Sequence, residues 1–173
     1  AQEFGVHARY LLARTHHLSG ELAEAGIQYK AVLDGYEAQK KAAQVTLQNP
    51  AALKPEHKAA LEALLNQPPP EHLARAEFYT AVLTFDEGRQ AEAATQFAAF
   101  VQKYPKSPLL AEAQFRIGAC NVQLKKFPEA NAALDPLKEH PLLGDQALIW
   151  LARARVGAAD PAKPAEFDPA VTA

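Results

Sequence analysis

Apolar residues recur at three- and four-residue spacing along most of this chain, interrupted by short stretches carrying Gly or Pro. That period marks one buried face on each of a series of amphipathic helices. It predicts a helix over about 3–18, a break at Ser19-Gly20, and a second helix from Glu21 to roughly Leu47 that carries Leu22, Ala25, Tyr29, Val32, Leu33 and Tyr36 on one side. Gly20 supplies the positive φ that a tight helix–helix turn requires. The same reasoning predicts helices over about 71–86 and 90–103 turning at Gly88, over 109–124 and 128–139, and over 145–157. Ser107 before Pro108 reads as an N-cap followed by proline at the first helical position, and Phe127-Pro128 restarts a helix in the same way. Pro136 is expected to kink or end its helix near Leu134, and Asp145 sits favourably in the first turn of the last helix.

The pattern also repeats. Ala76, Ala81, Gly88, Ala93 and Phe97 recur 37 residues later as Ala113, Gly118, Lys125, Ala130 and Leu134, and occur 68 residues earlier as Ala8, Ala13, Gly20, Ala25 and Tyr29. Ala147 and Ala152 extend the series, so the underlying period is about 34, in the range of stacked helix pairs. The expected organisation is a first hairpin over 3–41 with an extended second helix, a second over 71–106, a third over 107–141, and the first helix of a fourth over 142–158. Residues 42–70 fit either a degenerate repeat or an insertion. The insertion accounts better for Pro50 and Pro55, and holds a short helix near 56–66 before the stiff spacer Pro68-Pro69-Pro70. Residues 159–173 read as a linker, with Pro161, Pro164 and Pro169, and the natural protein is expected to continue past Ala173.

Composition narrows the function classes. Of 173 residues, 49% are hydrophobic and 22% charged, with a net charge of −2 and no basic stripe along any predicted helix, which argues against nucleic acid as partner. No apolar run reaches the roughly 20 residues of a membrane-spanning helix. Cys120 stands alone, so neither an internal disulfide nor a multi-cysteine metal site can form, and a small apolar core residue is the expected role. His16 and His17 diverge by about 100° on a helix and cannot share a metal. There is no phosphate loop or nucleophile elbow, and Ser19 and Ser107 read as turn and cap residues. No enzyme activity, cofactor or metal is expected.

The stretch Ala91–Pro105, A-E-A-A-T-Q-F-A-A-F-V-Q-K-Y-P, carries Ala93-x3-Phe97 and a proline 12 residues after Ala93. This resembles the tetratricopeptide repeat, whose small positions fall at Ala13, Ala81, Gly118 and Ala152. Thr84 in place of an aromatic residue and Lys125 in place of the turn glycine depart from that pattern. The resemblance implies an all-α, right-handed superhelical solenoid of antiparallel helix hairpins, with a helical insertion between the first and second clear repeats. A narrower likeness, F-x2-F-x3-Y-P-x-S-P-L-x2-E-A over Phe97–Ala113, is similar to bacterial Tol-Pal coordinators and outer-membrane assembly lipoproteins, and implies a cell-envelope setting.

In such an architecture the first helix of each hairpin lines the concave face. The inward rows are then His7, Tyr10, Arg14 and His17; Arg75, Phe78, Val82 and Phe85; Phe115, Ala119 and Val122; and Ile149 with Arg153. Phe78 and Phe115 fit groove and core equally, while Phe85 fits the groove better. The expected role is a scaffold that docks a protein partner, a hydrophobic helix or extended peptide bearing an acidic residue. Two alternatives stand beside it: a self-stacking solenoid or homo-oligomer formed through Leu148, Ile149, Leu151 and Val156 of the last helix, or a regulatory domain of a larger protein.

Overall fold

The computed structural model describes residues 2–49 and 53–159, the first three as backbone only; Pro50 and the Pro-rich tail lie outside the described residues. Every regular element among them is helical: α1 (Gln2–Leu18), α2 (Leu22–Leu47), α3 (Pro55–Asn66), α4 (Glu71–Asp86), α5 (Gln90–Lys103), α6 (Leu110–Gln123), α7 (Phe127–Leu134), a 3-10 turn (Asp135–Leu137) and α8 (Gly144–Ala158). The chain divides into two compact units, residues 1–80 and 81–173, and the boundary falls inside α4.

In the first unit α1 packs along α2, and α3 lies against α2 as well. The 26 residues of α2 bury a single stripe of Ala25, Tyr29, Val32, Tyr36 and Ala43. In contrast, α3 buries no residue at all, so it is held by partial contacts rather than by a core of its own. In the second unit α5 packs on α6, α6 on α7, and α8 on both α6 and α7. Phe115, Leu134, Leu137, Ala147 and Leu151 form its buried cluster, with Val122 and Trp150 at the margin.

Three helix ends close in the same way. At the end of α1, Gly20 N–H donates to His17 O and Glu21 N–H to His16 O; after α4, Gly88 donates to Phe85 O and Arg89 to Thr84 O; after α6, Lys125 donates to Val122 O and Lys126 to Asn121 O. Each is a Schellman closure, with the turn residue left-handed: φ is 78° at Gly20, 79° at Gly88 and 58° at Lys125. The repeat positions around these turns match in burial too. Tyr29, Phe97 and Leu134 are all fully buried, as are Ala25, Ala93 and Ala130. Ala8 departs from its counterparts Ala76, Ala113 and Ala147, being exposed where they are buried.

Lys125 alone of the three turn residues meets the Cβ penalty of the left-handed region, about 1–2 kcal/mol. Glycine would remove it while adding about 0.5–1 kcal/mol of unfolded-state entropy. The Lys125→Gly protein should therefore be more stable by about 0.5–1 kcal/mol, read from the urea midpoint; an unchanged or lower midpoint would show that the Lys125 conformation carries no strain.

One helix boundary differs from the sequence expectation, and a second follows the break expected at Pro136. The Ser107 hydroxyl accepts the N–H of Leu109, but the residues after it form a turn and α6 begins only at Leu110. Ser107 thus organises the approach to the helix rather than its first turn. The helix expected to reach 139 ends as an α-helix at Leu134 and continues as the 3-10 turn. Pro136 has no N–H to return to Ala132, so the α-helical ladder stops there.

Cys120 is buried, and burial pushes its thiol up to about 11, with the nearby Arg116 opposing the shift. The thiolate that alkylating reagents need is accordingly scarce near neutrality. Native protein at pH 8 should react with a thiol-specific chromogenic disulfide only at the rate of unfolding, and urea should release one equivalent promptly.

Candidate functional site

The polar side chains of the first unit converge where α1, α2 and α4 meet. From α1 come Tyr10, Arg14 and His17, from α2 Tyr29, and from α4 His72, Arg75 and Tyr79. Helical spacing puts Tyr10, Arg14 and His17 on one face of α1, and His72, Arg75 and Tyr79 on one face of α4. The Tyr29 and Tyr79 rings lie nearly parallel, 20° apart with centroids at 6.0 Å. The Arg14 guanidinium lies over the Tyr79 ring at 4.0 Å from its centroid. His17 stands edge-on to both rings, at 5.9 Å from Tyr29 and 5.5 Å from Tyr79.

Hydrogen bonds lock this arrangement. The Tyr29 hydroxyl lies 3.2 Å from His17 Nδ1, and the nearby Arg14 guanidinium favours its ionised form. Whether the hydroxyl or the ring nitrogen donates is set by the tautomer of the imidazole. Arg75 donates to Glu71 at 3.1 Å, and the Glu71 carboxylate, with a smaller effect from the neighbouring Tyr10, holds its guanidinium the more firmly protonated. His72 packs edge-on against His7 at 5.1 Å and lies 6.2 Å from Tyr10. His16 turns the other way, its Nδ1 bonded to the Glu21 carboxylate across the Gly20 turn.

Burial drives the Tyr29 hydroxyl up to about 12, against the lowering effect of Arg14, and raises Tyr10 in the same sense. A hydroxyl whose pKa is higher in the folded state than in the unfolded chain adds stability that is complete below the unfolded value near 10. That stability is lost as pH rises toward 12. The urea midpoint should therefore fall between pH 10 and 12, and fall less in Tyr29→Phe; equal slopes would remove Tyr29 as the source.

The second unit repeats the arginine-on-ring motif twice. Arg116 lies 5.3 Å from the centroid of Phe85, and Arg153 lies 4.8 Å from that of Trp150. Trp150 in turn meets Phe115 edge-on at 6.5 Å. A guanidinium laid flat on a ring keeps its N–H edge for a planar acceptor such as a carboxylate. Arg116 is also paired with Glu112 at 3.6 Å, whereas Arg153 is exposed beside its ring.

Of the thirteen residues expected to line an open row, several are core instead, while His7 is exposed. Phe78 is completely buried and Ala119 nearly so, and Tyr10, Val82 and Phe115 are each 7% exposed. These residues face neighbouring helices, so large side chains on a first helix here serve packing. Arg14, His17, Arg75, Phe85 and Val122 are half-buried, and Ile149 and Arg153 are exposed. The last helix needs a similar correction: Leu151 is core and Leu148 is half-buried, leaving Ile149 and Val156 as its exposed apolar residues. Sequence reading missed Tyr79, His72 and Trp150 as members of these faces. The signal was present for Tyr79, which lies four residues after Arg75 on the same helical face.

Among the described residues no group of three His, Cys, Asp or Glu side chains comes together to hold a metal, and no helix is long and apolar enough to cross a membrane. No family model matches the chain, and no curated protein matches it significantly.

Proposed function

We propose that this protein is a tetratricopeptide-like scaffold that docks another protein through the arginine–aromatic faces of its first helices. The observation that carries the reading is the identity of the three hairpin closures, each followed at the same spacing by a buried alanine and then a large buried residue, Tyr29, Phe97 or Leu134. Repeated units of this kind bury a continuous core between neighbours and leave one face of each unit for ligands. On that face the first helices carry Arg14 on Tyr79, Arg116 on Phe85 and Arg153 on Trp150. Such pairs suit a peptide segment that combines acidic and apolar side chains, and arginine and aromatic residues are the side chains that most often carry binding energy. The cell envelope is the proposed setting, on the likeness of Phe97–Ala113 alone.

Affinity capture from cell extract tests this, comparing the protein with two variants, Arg14→Gln/Arg75→Gln and Ile149→Ser/Arg153→Gln. These residues are half-buried or exposed, so the fold should survive their exchange. A protein retained by the parent and lost by either variant supports the reading. Capture that is the same for all three would overturn it.

A second reading is favoured by α8, where Ile149 and Val156 are about half exposed and Leu142, just before the helix, is 81% exposed. In that reading the end of the second unit stacks on another copy. Light scattering should then show mass rising with concentration in the parent and staying monomeric in Ile149→Glu/Val156→Glu.

A further inference from the structure

A second feature of the first unit, which meets the arginine–aromatic face only at His72, lies between α2, α3 and the polyproline spacer, with Val6 of α1 at its edge. There the chain encloses a cleft of about 640 Å³, to which α2 contributes Tyr36 and Ala43, α3 contributes Leu61 and Leu64, and the spacer contributes Pro68 and Pro70. Its volume falls within the roughly 300–1,000 Å³ of sites that enclose drug-sized molecules. The helix forming one wall fully buries no residue, so the apolar side of α3, though it lies against α2, is only partly covered.

The chemistry of the walls selects the occupant. Among the described residues that line the cleft none is Asp, Glu, Lys or Arg, although 22% of the chain is charged. The polar groups there are the Gln39 and Gln67 amides, the Thr46 and Tyr36 hydroxyls, and the imidazoles of His57 and His72. An ion entering such a cleft would lose hydration with no opposite charge to replace it, whereas an uncharged apolar molecule would be stabilised by the area it removes from water. We propose that the α2–α3 cleft is a binding site for a neutral, largely apolar small molecule, oriented by hydrogen bonds to the amides and the tyrosine. Its size sets it apart from a docking groove for a whole helix, since a helix of twelve residues is about 18 Å long and 10 Å wide with its side chains.

The test uses Nile red, an uncharged apolar dye, titrated into the whole protein and followed by fluorescence and by 15N–1H shift mapping. The expected result is saturable binding of one dye per chain, with shifts confined to α2 from Tyr36 onward, α3, the spacer and the neighbouring Val6 and His72. Ala63→Trp, which places an indole in the cleft, should weaken binding at least tenfold, with far-UV circular dichroism confirming that the helices persist. The anionic probe dansyl undecanoate should bind at least tenfold more weakly than Nile red. Non-saturable binding, shifts centred elsewhere, equal affinity for the two dyes, or full affinity in a folded Ala63→Trp protein would each overturn the proposal. The shift map is read on the parent protein, so it decides the matter even if the variant fails to fold.

Discussion

Truncating Leu134 to alanine should cost about 2–5 kcal/mol, as expected for a fully buried leucine that leaves a cavity. The interest lies in its partner. A Cβ built on Gly118 would fall 2.3 Å from Leu134 Cγ, so α6 and α7 approach each other through the space that glycine leaves. Gly118→Ala should therefore be destabilising by about 1–3 kcal/mol from overpacking, less the roughly 0.5–1 kcal/mol that alanine returns as the better helix former. In the double variant the new methyl group occupies part of the cavity. Its loss should be clearly smaller than the sum of the two single losses, by 0.5 kcal/mol or more in a double-mutant cycle from urea denaturation. Additive losses would mean that the two positions do not interlock.

Phe78→Ala should be as damaging, at about 3–5 kcal/mol, although the sequence places Phe78 as readily in a binding row as in the core. Its ring is fully buried and stands edge-on to Tyr79 at 5.4 Å, and nothing fills the space once it is removed. For a chain of this length such a loss lowers the melting temperature by roughly 10 °C or more. A shift of only a degree or two would place Phe78 at the surface and reopen it as a docking residue. Ile149→Ala gives the contrast: its side chain is 54% exposed, so little stability should be lost.

The helices themselves were legible because their signals are local. The break at Gly20, the run of α2 to Leu47, the short helix near 56–66 and the end of α7 at Leu134 follow from glycine geometry, unbroken apolar spacing and the missing N–H of Pro136. Ser107 shows the limit even there, since a serine before proline can hold a turn as well as a first helical turn, and only the path of the chain decides which. Even the odd member of the repeat, Lys125, could be placed in the turn from its distance to Gly88, and its left-handed φ is the cost of that position.

What the sequence by itself determined is the set of all-helical elements, their lengths, the turns between them and the small and large positions that recur from one hairpin to the next. These depend on neighbours within about four residues or on a fixed repeat. Only the tertiary structure decided which aromatic residues are core and which meet solvent, that Tyr79 rather than Phe78 receives Arg14, and that α3 and α2 leave a cleft without charge. A helix shows its apolar side in its spacing. It does not show which neighbouring helix covers that side, because burial depends on residues far along the chain, and a one-residue rotation of the helix, about 100°, exchanges a core phenylalanine for a half-buried tyrosine.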